Sequence, residues 1–420
     1  MLRFYFNRKR RALLLGLLLT ASILLLYLLS YHHIKNTSYN LDNSTVYDIV
    51  LDAGSTGSRI HVFVFKKSGN DLELRSEHFK RVEPGLSSFA SDASAAVDSL
   101  KPLLEVAISS VPPSHYRSTA VTLKATAGLR LLPKDQQIGI LNAVDAYLNS
   151  TPFSNRGVSV ITGDEEAVYG WMTLNYLLGR FDSNDKPPVV AIDMGGASTQ
   201  IIFKTPTESA EWLPFRYALH LKIKESGFTL YHHSYLGFGL NEARKRIMSH
   251  YNDEQMLVCL SDGASKASGT KNETKGFLTT LNFDSCTELV RKAVFSDDIC
   301  KHASCGIKGV PQPPIRGGEH EIHAFSYFYD LLRRIMPVNA PLSVASIREA
   351  SQKVCNNPNH PASKGSMCLD LAYLYSYLSY GLKLSDTTLV HVADEIKGQS
   401  LSWSLGDSLA YLWKTEMTQY

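Results

Sequence analysis

Asp52-Ala-Gly-Ser-Thr-Gly-Ser58 and Asp193-Met-Gly-Gly-Ala-Ser-Thr199, 141 residues apart, decide the fold. Each follows a short apolar run, Ile49-Val-Leu51 in the first case and Val189-Val-Ala-Ile192 in the second. Each places Gly two residues after Asp, then Ser/Thr, and each precedes a β-rich segment, 59–65 and 200–203. Apolar run, Gly-rich turn and β-branched run together read as a hairpin. Two such hairpins predict a duplicated, two-lobe α/β architecture, each lobe offering one turn to a shared cleft.

A Gly-rich turn exposes backbone N–H groups, which with Ser/Thr hydroxyls form an anion nest suited to phosphate oxygens. Ordinary hairpin turns also favour Asp and Gly; it is the matched pair that points to phosphate. Neither loop is a Gly-x4-Gly-Lys-Ser/Thr P-loop, and no Lys follows to neutralise phosphate charge. Asp52 and Asp193 would repel a phosphate unless a cation sits between, and hard oxygen donors of this kind suit Mg²⁺ or Ca²⁺, often through water.

Hydrolysis also needs a base to orient the attacking water. Thr162-Gly-Asp-Glu-Glu166 opens a predicted helix. Thr162 and Glu165 have capping-box spacing, which gives Glu165 a structural task and leaves Glu166 for the cleft. Acids at a helix start also stabilise its dipole without any catalytic role.

Around these motifs the pattern predicts helices over 91–110, 135–148, 165–178 and 402–413, and strands over 121–126, 158–162 and 189–193. It predicts two aromatic-rich helices, 324–336 and 368–382. The middle, 205–320, reads as short helices with polar loops near 261–276 and 311–318.

The chain of 420 residues is long enough for two domains, and its apolar and charged fractions, 44% and 20%, are ordinary for a globular enzyme. The net charge of +3 rests on five basic residues among the first eleven; without them the rest is slightly acidic. That excludes the basic footprint of a nucleic-acid binder. The run Ala12–Leu29 is apolar but for Gly16, Thr20 and Ser22. As a helix it spans roughly 27 Å, enough for a thin bilayer of the ER/Golgi kind. The basic cluster keeps the N-terminus cytosolic. A cleaved signal peptide is the alternative, but no good small-x-small site follows the Leu run. The expected layout is a cytosolic tail 1–11, a single transmembrane signal anchor 12–30, a lumenal stem 31–45, lobe I 46–161, lobe II 162–395, and a return to lobe I over 396–420.

Sequons at Asn36, Asn43, Asn149 and Asn272 agree with a lumenal body. So do six cysteines, all between 259 and 368. Fifteen connectivities are open; neighbour pairing, 259–286, 300–305 and 355–368, is the expectation. A zinc site is disfavoured, since the Cys-x2-Cys and matching His spacings are absent.

The sequence resembles the apyrase superfamily of nucleoside triphosphate diphosphohydrolases and nucleoside diphosphatases. The resemblance covers nearly all of the chain after residue 46. Five regions carry it in order: Asp52–Arg59, Lys124-Ala-Thr-Ala-Gly-Leu-Arg130, Thr162-Gly-Asp-Glu-Glu-Ala-Val-Tyr-Gly-Trp171, Ile192-Asp-Met-Gly-Gly-Ala-Ser-Thr-Gln200 and Trp403-Ser-Leu-Gly-Asp407. It implies an actin-like (ribonuclease H-like) fold with nucleotide between the lobes. It implies phosphate binding by Gly54, Ser55, Thr56, Gly57, Arg59, Gly195, Gly196, Ala197, Ser198 and Thr199, with Ser198 also helping to hold the water. Glu166 matches the general base, Asp52 and Asp193 ligands of a metal through water, and Thr126 a neighbour of that metal. Trp403 matches a cleft residue. Ala167 departs from the family, which commonly has Gly there.

Ala324–Asp330 and Cys368–Tyr373 resemble the ER/Golgi nucleoside diphosphatases more than the cell-surface triphosphatases, and Met367 stands where the latter place a base-stacking Tyr. Tyr327 and Phe328 are the candidates for stacking on a base, helix core being the other reading. The resemblance implies a lumenal diphosphatase of the Golgi or ER membrane acting on UDP/GDP-type nucleotides, in support of glycosylation and nucleotide-sugar exchange. A broad apyrase taking ATP and ADP, or a catalytically dead nucleotide-binding module, are the alternatives. Base preference and oligomeric state stay open.

Overall fold

The computed structural model describes residues 22–28, 44–181, 186–206, 209, 212–261, 281–295, 299–316 and 320–419. Met1–Val46 and Tyr47–Tyr420 are separate compact units. In the first, residues 22–28 are helical and exposed. Among the described residues no helix is long and apolar enough to cross a membrane. Most of the expected anchor, the sequons at Asn36, Asn43 and Asn272, and the polar loop from 262 onward lie outside the described residues.

Strands β1 (Thr45–Ala53), β2 (Ser58–Ser68), β3 (Asp71–Val82), β4 (Ala120–Ala125) and β5 (Ser154–Val160) form one sheet in the order β3-β2-β1-β4-β5. β2 and β3 are antiparallel, while β4 runs parallel to both β1 and β5. Helices α1 (Ala93–Ser110) and α2 (Lys134–Asn149) cover one face. There Ile49, Leu51, Val121 and Leu123 pack against Leu100, Leu104, Ile140 and Val144. Alternate residues of β1 point the other way, and Val50 joins a different core. A strand buried on both faces accounts for the unbroken apolar run before Asp52.

Helix α3 (Gly163–Leu177) follows, opened by the anticipated capping box: Thr162 accepts from Glu165 N, and the Glu165 side chain accepts from Thr162 N. The second sheet holds β6 (Val190–Met194), β7 (Ser198–Lys204), β8 (Ala218–Ile223), β9 (Ser226–Leu236), β10 (Ile322–Ser326), β11 (Leu342–Ser343) and β12 (Leu389–Val392). Within it β9-β7-β6-β10-β12 repeats the order of the first sheet: β6, β10 and β12 are parallel, and β6-β7-β9 are antiparallel neighbours. This is the doubling that the two loops implied. Asp52 and Asp193 are the penultimate residues of β1 and β6, at equivalent points of the two sheets.

Helices α4 (Leu240–His250), α5 (Phe283–Val294), α6 (Val344–Cys355) and α7 (Met367–Ser376) build the outer core of the second sheet. Disulfides Cys259–Cys286, Cys300–Cys305 and Cys355–Cys368 join neighbours, as expected. A small hairpin, β13 (Glu395–Ile396) and β14 (Gln399–Ser400), leads to α8 (Trp403–Trp413) and β15 (Glu416–Gln419).

Helices α3 and α8 lie between the two sheets. Trp171, Leu174, Leu405 and Leu409 pack with Val50, Phe63 and Phe65 of the first sheet and with Val189, Ala191 and Ile202 of the second. The two helices touch closely, because a Cβ on Gly406 would run into the Tyr169 carbonyl. Gly406 N donates to Thr173 Oγ1, which donates to the Ser402 carbonyl. Asp407 binds α8 to the first lobe: it accepts from Arg156 at 2.7 Å and faces Lys124 at 3.5 Å. Arg156 also reaches Asp48, whose carboxyl is pushed up to about 7 by burial, against the pull of that guanidinium.

Two expectations are corrected, and two strands stand where no element was read. β3 is a strand where none was read; its run of charged side chains suits a sheet edge. β8 and β9 form an antiparallel hairpin in the region read as short helices. Residues 324–326 belong to β10, and the helix after it is a single short turn, Tyr327–Leu332. β15 is the other strand where none was read, and it pairs antiparallel with β8 of the second sheet.

Trp171 is fully buried in the layer between the sheets and donates Nε1–H to the Val189 carbonyl at 2.9 Å. Trp171→Ala is expected to lower stability by about 3–5 kcal/mol, read as a shift of the urea unfolding midpoint.

Candidate active site

The carboxyl ends of β1 and β6 meet across one crevice. A cavity of about 270 Å³ is lined by Asp52, Gly54, Ser55, Thr56 and Arg59 from one side and by Asp193, Gly195, Gly196, Ala197 and Ser198 from the other. Glu166, Thr126, Tyr327 and Trp403 line it too. Glycines set the closeness of the approach. A Cβ on Gly196 would stand 2.8 Å from Ser55 Oγ, and one on Gly128 would stand 2.7 Å from Ser55 Cα. Ser55 is thus clamped between the opposite loop and the one-turn helix Ala127–Arg130.

Each loop is tied at its base. Gly54 N donates to the Gly57 carbonyl at 3.1 Å, and Gly195 N to the Ser198 carbonyl at 2.9 Å. Thr126 N donates to the Ala53 carbonyl, which fixes Thr126 at the end of β4 beside Asp52. On the second loop Leu240 N and Asn241 N donate to the Gly195 and Gly196 carbonyls, so those carbonyls turn away toward α4.

Three carboxylates face this space. Asp52 accepts from Arg59 Nη1 at 3.2 Å, while its Oδ1 is buried with no hydrogen-bond partner. Asp193 accepts from Ser326 Oγ at 2.6 Å. Its carboxyl is pushed up to about 6, chiefly by burial and further by the Asp52 charge, against the Ser326 bond and the Arg59 charge. Glu166, in the first turn of α3, is paired with Arg130. Burial pushes it up to about 8; Asp193 and Asp52 add to the rise, and Arg130 opposes it. Gln200 Nε2 donates to Ser198 Oγ at 2.7 Å and to Ser234 Oγ at 3.0 Å, and lies 3.4 Å from Glu166 Oε2.

Three residues read from sequence stand off the crevice. Phe328 is fully buried in the outer core of the second lobe, so of the aromatic pair only Tyr327 faces the cavity. Thr199 is buried and donates to the Phe238 carbonyl. Gly57 turns toward the end of β3, where a Cβ would meet the Val82 carbonyl at 2.7 Å. Other residues of the site were not singled out. Arg130 and Gln200 sit inside quoted motifs, so the signal was present. Ser326 carries none: it adopts φ +60°, a backbone conformation that non-glycine residues seldom take. His61 also lines the cavity, buried and paired through Nδ1 with Glu77.

Two Gly-rich loops facing each other across a crevice, with three carboxylates clustered between them, have the layout of a phosphohydrolase. The chain belongs to the GDA1/CD39 (nucleoside phosphatase) family, which matches residues 38–420. It is accordingly a hydrolase acting on phosphoanhydrides. It is 34% identical to the guanosine-diphosphatase of Saccharomyces cerevisiae, over 91% of this chain and 84% of that protein. It is 34% identical to the guanosine-diphosphatase of Schizosaccharomyces pombe, over 87% and 73%. It is 32% identical to the human nucleoside diphosphate phosphatase ENTPD5, over 87% of each. Among solved structures, a nucleoside triphosphate hydrolase from Neospora caninum superposes with a TM-score of 0.64 over 92% of this chain and 97% of that one, at 14% identity. At that identity the likeness is one of fold.

Gly128→Ala is expected to displace the Ser55 loop and lower kcat by about 100-fold while the circular dichroism spectrum stays that of the parent. Titration of Glu166 gives a second expectation. A folded-state value raised from 4.5 to about 8 means that the native state holds its proton longer than the unfolded chain. Stability in chelator therefore falls as pH rises from about 4.5 to about 8. In Glu166→Gln that fall is expected to flatten, read as melting temperature against pH.

Proposed function

We propose that the chain is a membrane-anchored, lumenal nucleoside diphosphatase that releases the terminal phosphate of UDP- or GDP-type nucleotides. The observation that carries the reading is the convergence of the two Gly-rich loops and Glu166 on one crevice. Relatives named guanosine-diphosphatase and nucleoside diphosphate phosphatase support the diphosphate preference. The paired cysteines suit an oxidising compartment. The basic tail 1–11 and apolar segment 12–30 suit a single-pass anchor of the Golgi or ER with the stem 31–45 beyond it.

The donor set fits a divalent cation. Asp52 Oδ1 is buried without a partner, and Asp193 and Glu166 add two more carboxylates that repel it. Asp52 and Asp193, with Thr126 beside them, would hold Mg²⁺ or Ca²⁺ through water. When bound, such an ion neutralises phosphate charge in the crevice.

The remaining work falls to the chain. Amides of Ser55, Thr56, Gly196 and Ala197, with the Ser55 and Thr56 hydroxyls, receive the phosphate oxygens. Arg59 adds positive charge on the phosphate side. Ser198, held by Gln200, and Glu166, held by Arg130, place the attacking water, and Glu166 takes its proton as in-line attack proceeds. A base whose carboxyl is raised by burial is better matched to neutral pH than an ordinary glutamate. Tyr327 and Trp403, which also line the cavity, would flank the nucleoside.

Phosphate release should be measured with the full chain in detergent, over a panel of nucleoside di- and triphosphates, with and without chelator. Rates are expected to be highest with UDP or GDP, abolished by chelator, and about 10²–10⁴-fold lower in Glu166→Gln. A Glu166→Gln rate equal to the parent's would refute the base assignment; faster turnover of ATP would refute the diphosphate preference.

A further inference from the structure

Glu321, His323 and His391 lie at the amino-terminal end of β10, away from Ser326 and the crevice. Their ligand atoms are all within 4.8 Å of one another, and among the described residues they form the one such group of His, Cys, Asp and Glu. Strand geometry puts them there. Glu321 and His323 are two residues apart and so share a face. His323 and His391 are register partners on the parallel strands β10 and β12. Their rings stack at 4.5 Å with 7° between planes.

We infer that these three side chains form a transition-metal site of the zinc class, distinct from the phosphate crevice. Two imidazole nitrogens and one carboxylate oxygen suit Zn²⁺, Co²⁺ or Ni²⁺ rather than Mg²⁺ or Ca²⁺, which take oxygen donors. The surroundings are built for ligation. His323 is only 6% exposed. Arg180 Nη2 holds Glu321 Oε2 at 2.5 Å, while Oε1 is hydrogen-bonded to His323 Nε2 at 2.8 Å, a contact that both atoms would exchange for a shared ion. Orientation of a ligating carboxylate by an outer partner is the usual arrangement around such ions. Tetrahedral bonds of about 2.0–2.2 Å set the ligand atoms roughly 3.4 Å apart, so the 2.8 Å Glu321–His323 contact opens and the wider separations, up to 4.8 Å, close, by side-chain rotation of the half-buried His391 and the partly exposed Glu321. Glu321 is the partly exposed ligand, which would leave the fourth position to a water. The ion would bind β10 to β12 and, through Arg180, to the end of α3.

The test uses the full chain in detergent, stripped with chelator and held in excess Mg²⁺ so that the crevice is served. Co²⁺ is added and its visible spectrum read, with bound metal counted after dialysis. One equivalent with tetrahedral absorption is expected. It should vanish in His391→Ala and in Glu321→Gln, persist in Asp193→Asn, and bind about 10–100-fold more weakly in Arg180→Met. Nucleotide hydrolysis in Mg²⁺ should be unchanged in His391→Ala, which also reports that this variant folds. Absence of tetrahedral absorption would overturn the inference. So would an equivalent that survives both His391→Ala and Glu321→Gln, or one lost in Asp193→Asn.

Discussion

Asp52, Asp193 and Glu166 repel one another inside a mostly buried crevice, and that repulsion is the constraint around which the molecule is arranged. Isolated carboxylates out of water would protonate or swing apart. They stay together because each is fixed from a different direction. Asp52 is held by Arg59, Asp193 by Ser326 and Glu166 by Arg130. Each partner comes from a separate segment, so the cluster is over-determined by the fold rather than by any local turn. An arrangement unfavourable by itself is well placed to gain from binding a cation.

The layer between the sheets makes this possible. Because α3 and α8 pack on both sheets at once, one continuous core sets the separation of the two loops. Asp407 illustrates the division of labour. It belongs to a quoted motif, yet it points to Arg156 and Lys124, not to the cavity. Its task is to seat α8, whose first residue, Trp403, lines the site.

Much of this was legible in the sequence because it rests on local chemistry. The two Asp-x-Gly loops need glycine for close approach and Ser/Thr for phosphate, and both needs are written at fixed spacing. The capping box that frees Glu166 is likewise local. What escaped depends on neighbours distant in the chain. Tyr327 and Phe328 read alike as aromatic, but neighbouring helix positions point about 100° apart, which sends the first to the cavity and the second into the core. Ser326 is a functional partner by virtue of a backbone conformation that no residue type announces. β8 keeps the alternation that marks a strand at Leu219, Leu221 and Ile223 but over only six residues, while Gly227 and the run His232-His233-Ser234 dilute it in β9, so their neighbours in the sheet decide the matter.

The placement of β15 bears on how the protein keeps to itself. Its pairing covers Leu219–Lys222, the middle four residues of β8, which would otherwise leave a row of unmatched amides and carbonyls at the border of the larger sheet. Residues Glu416–Gln419 therefore act as a selvedge, the woven margin that stops a cloth from fraying, and they reduce that border to a strand only four residues long.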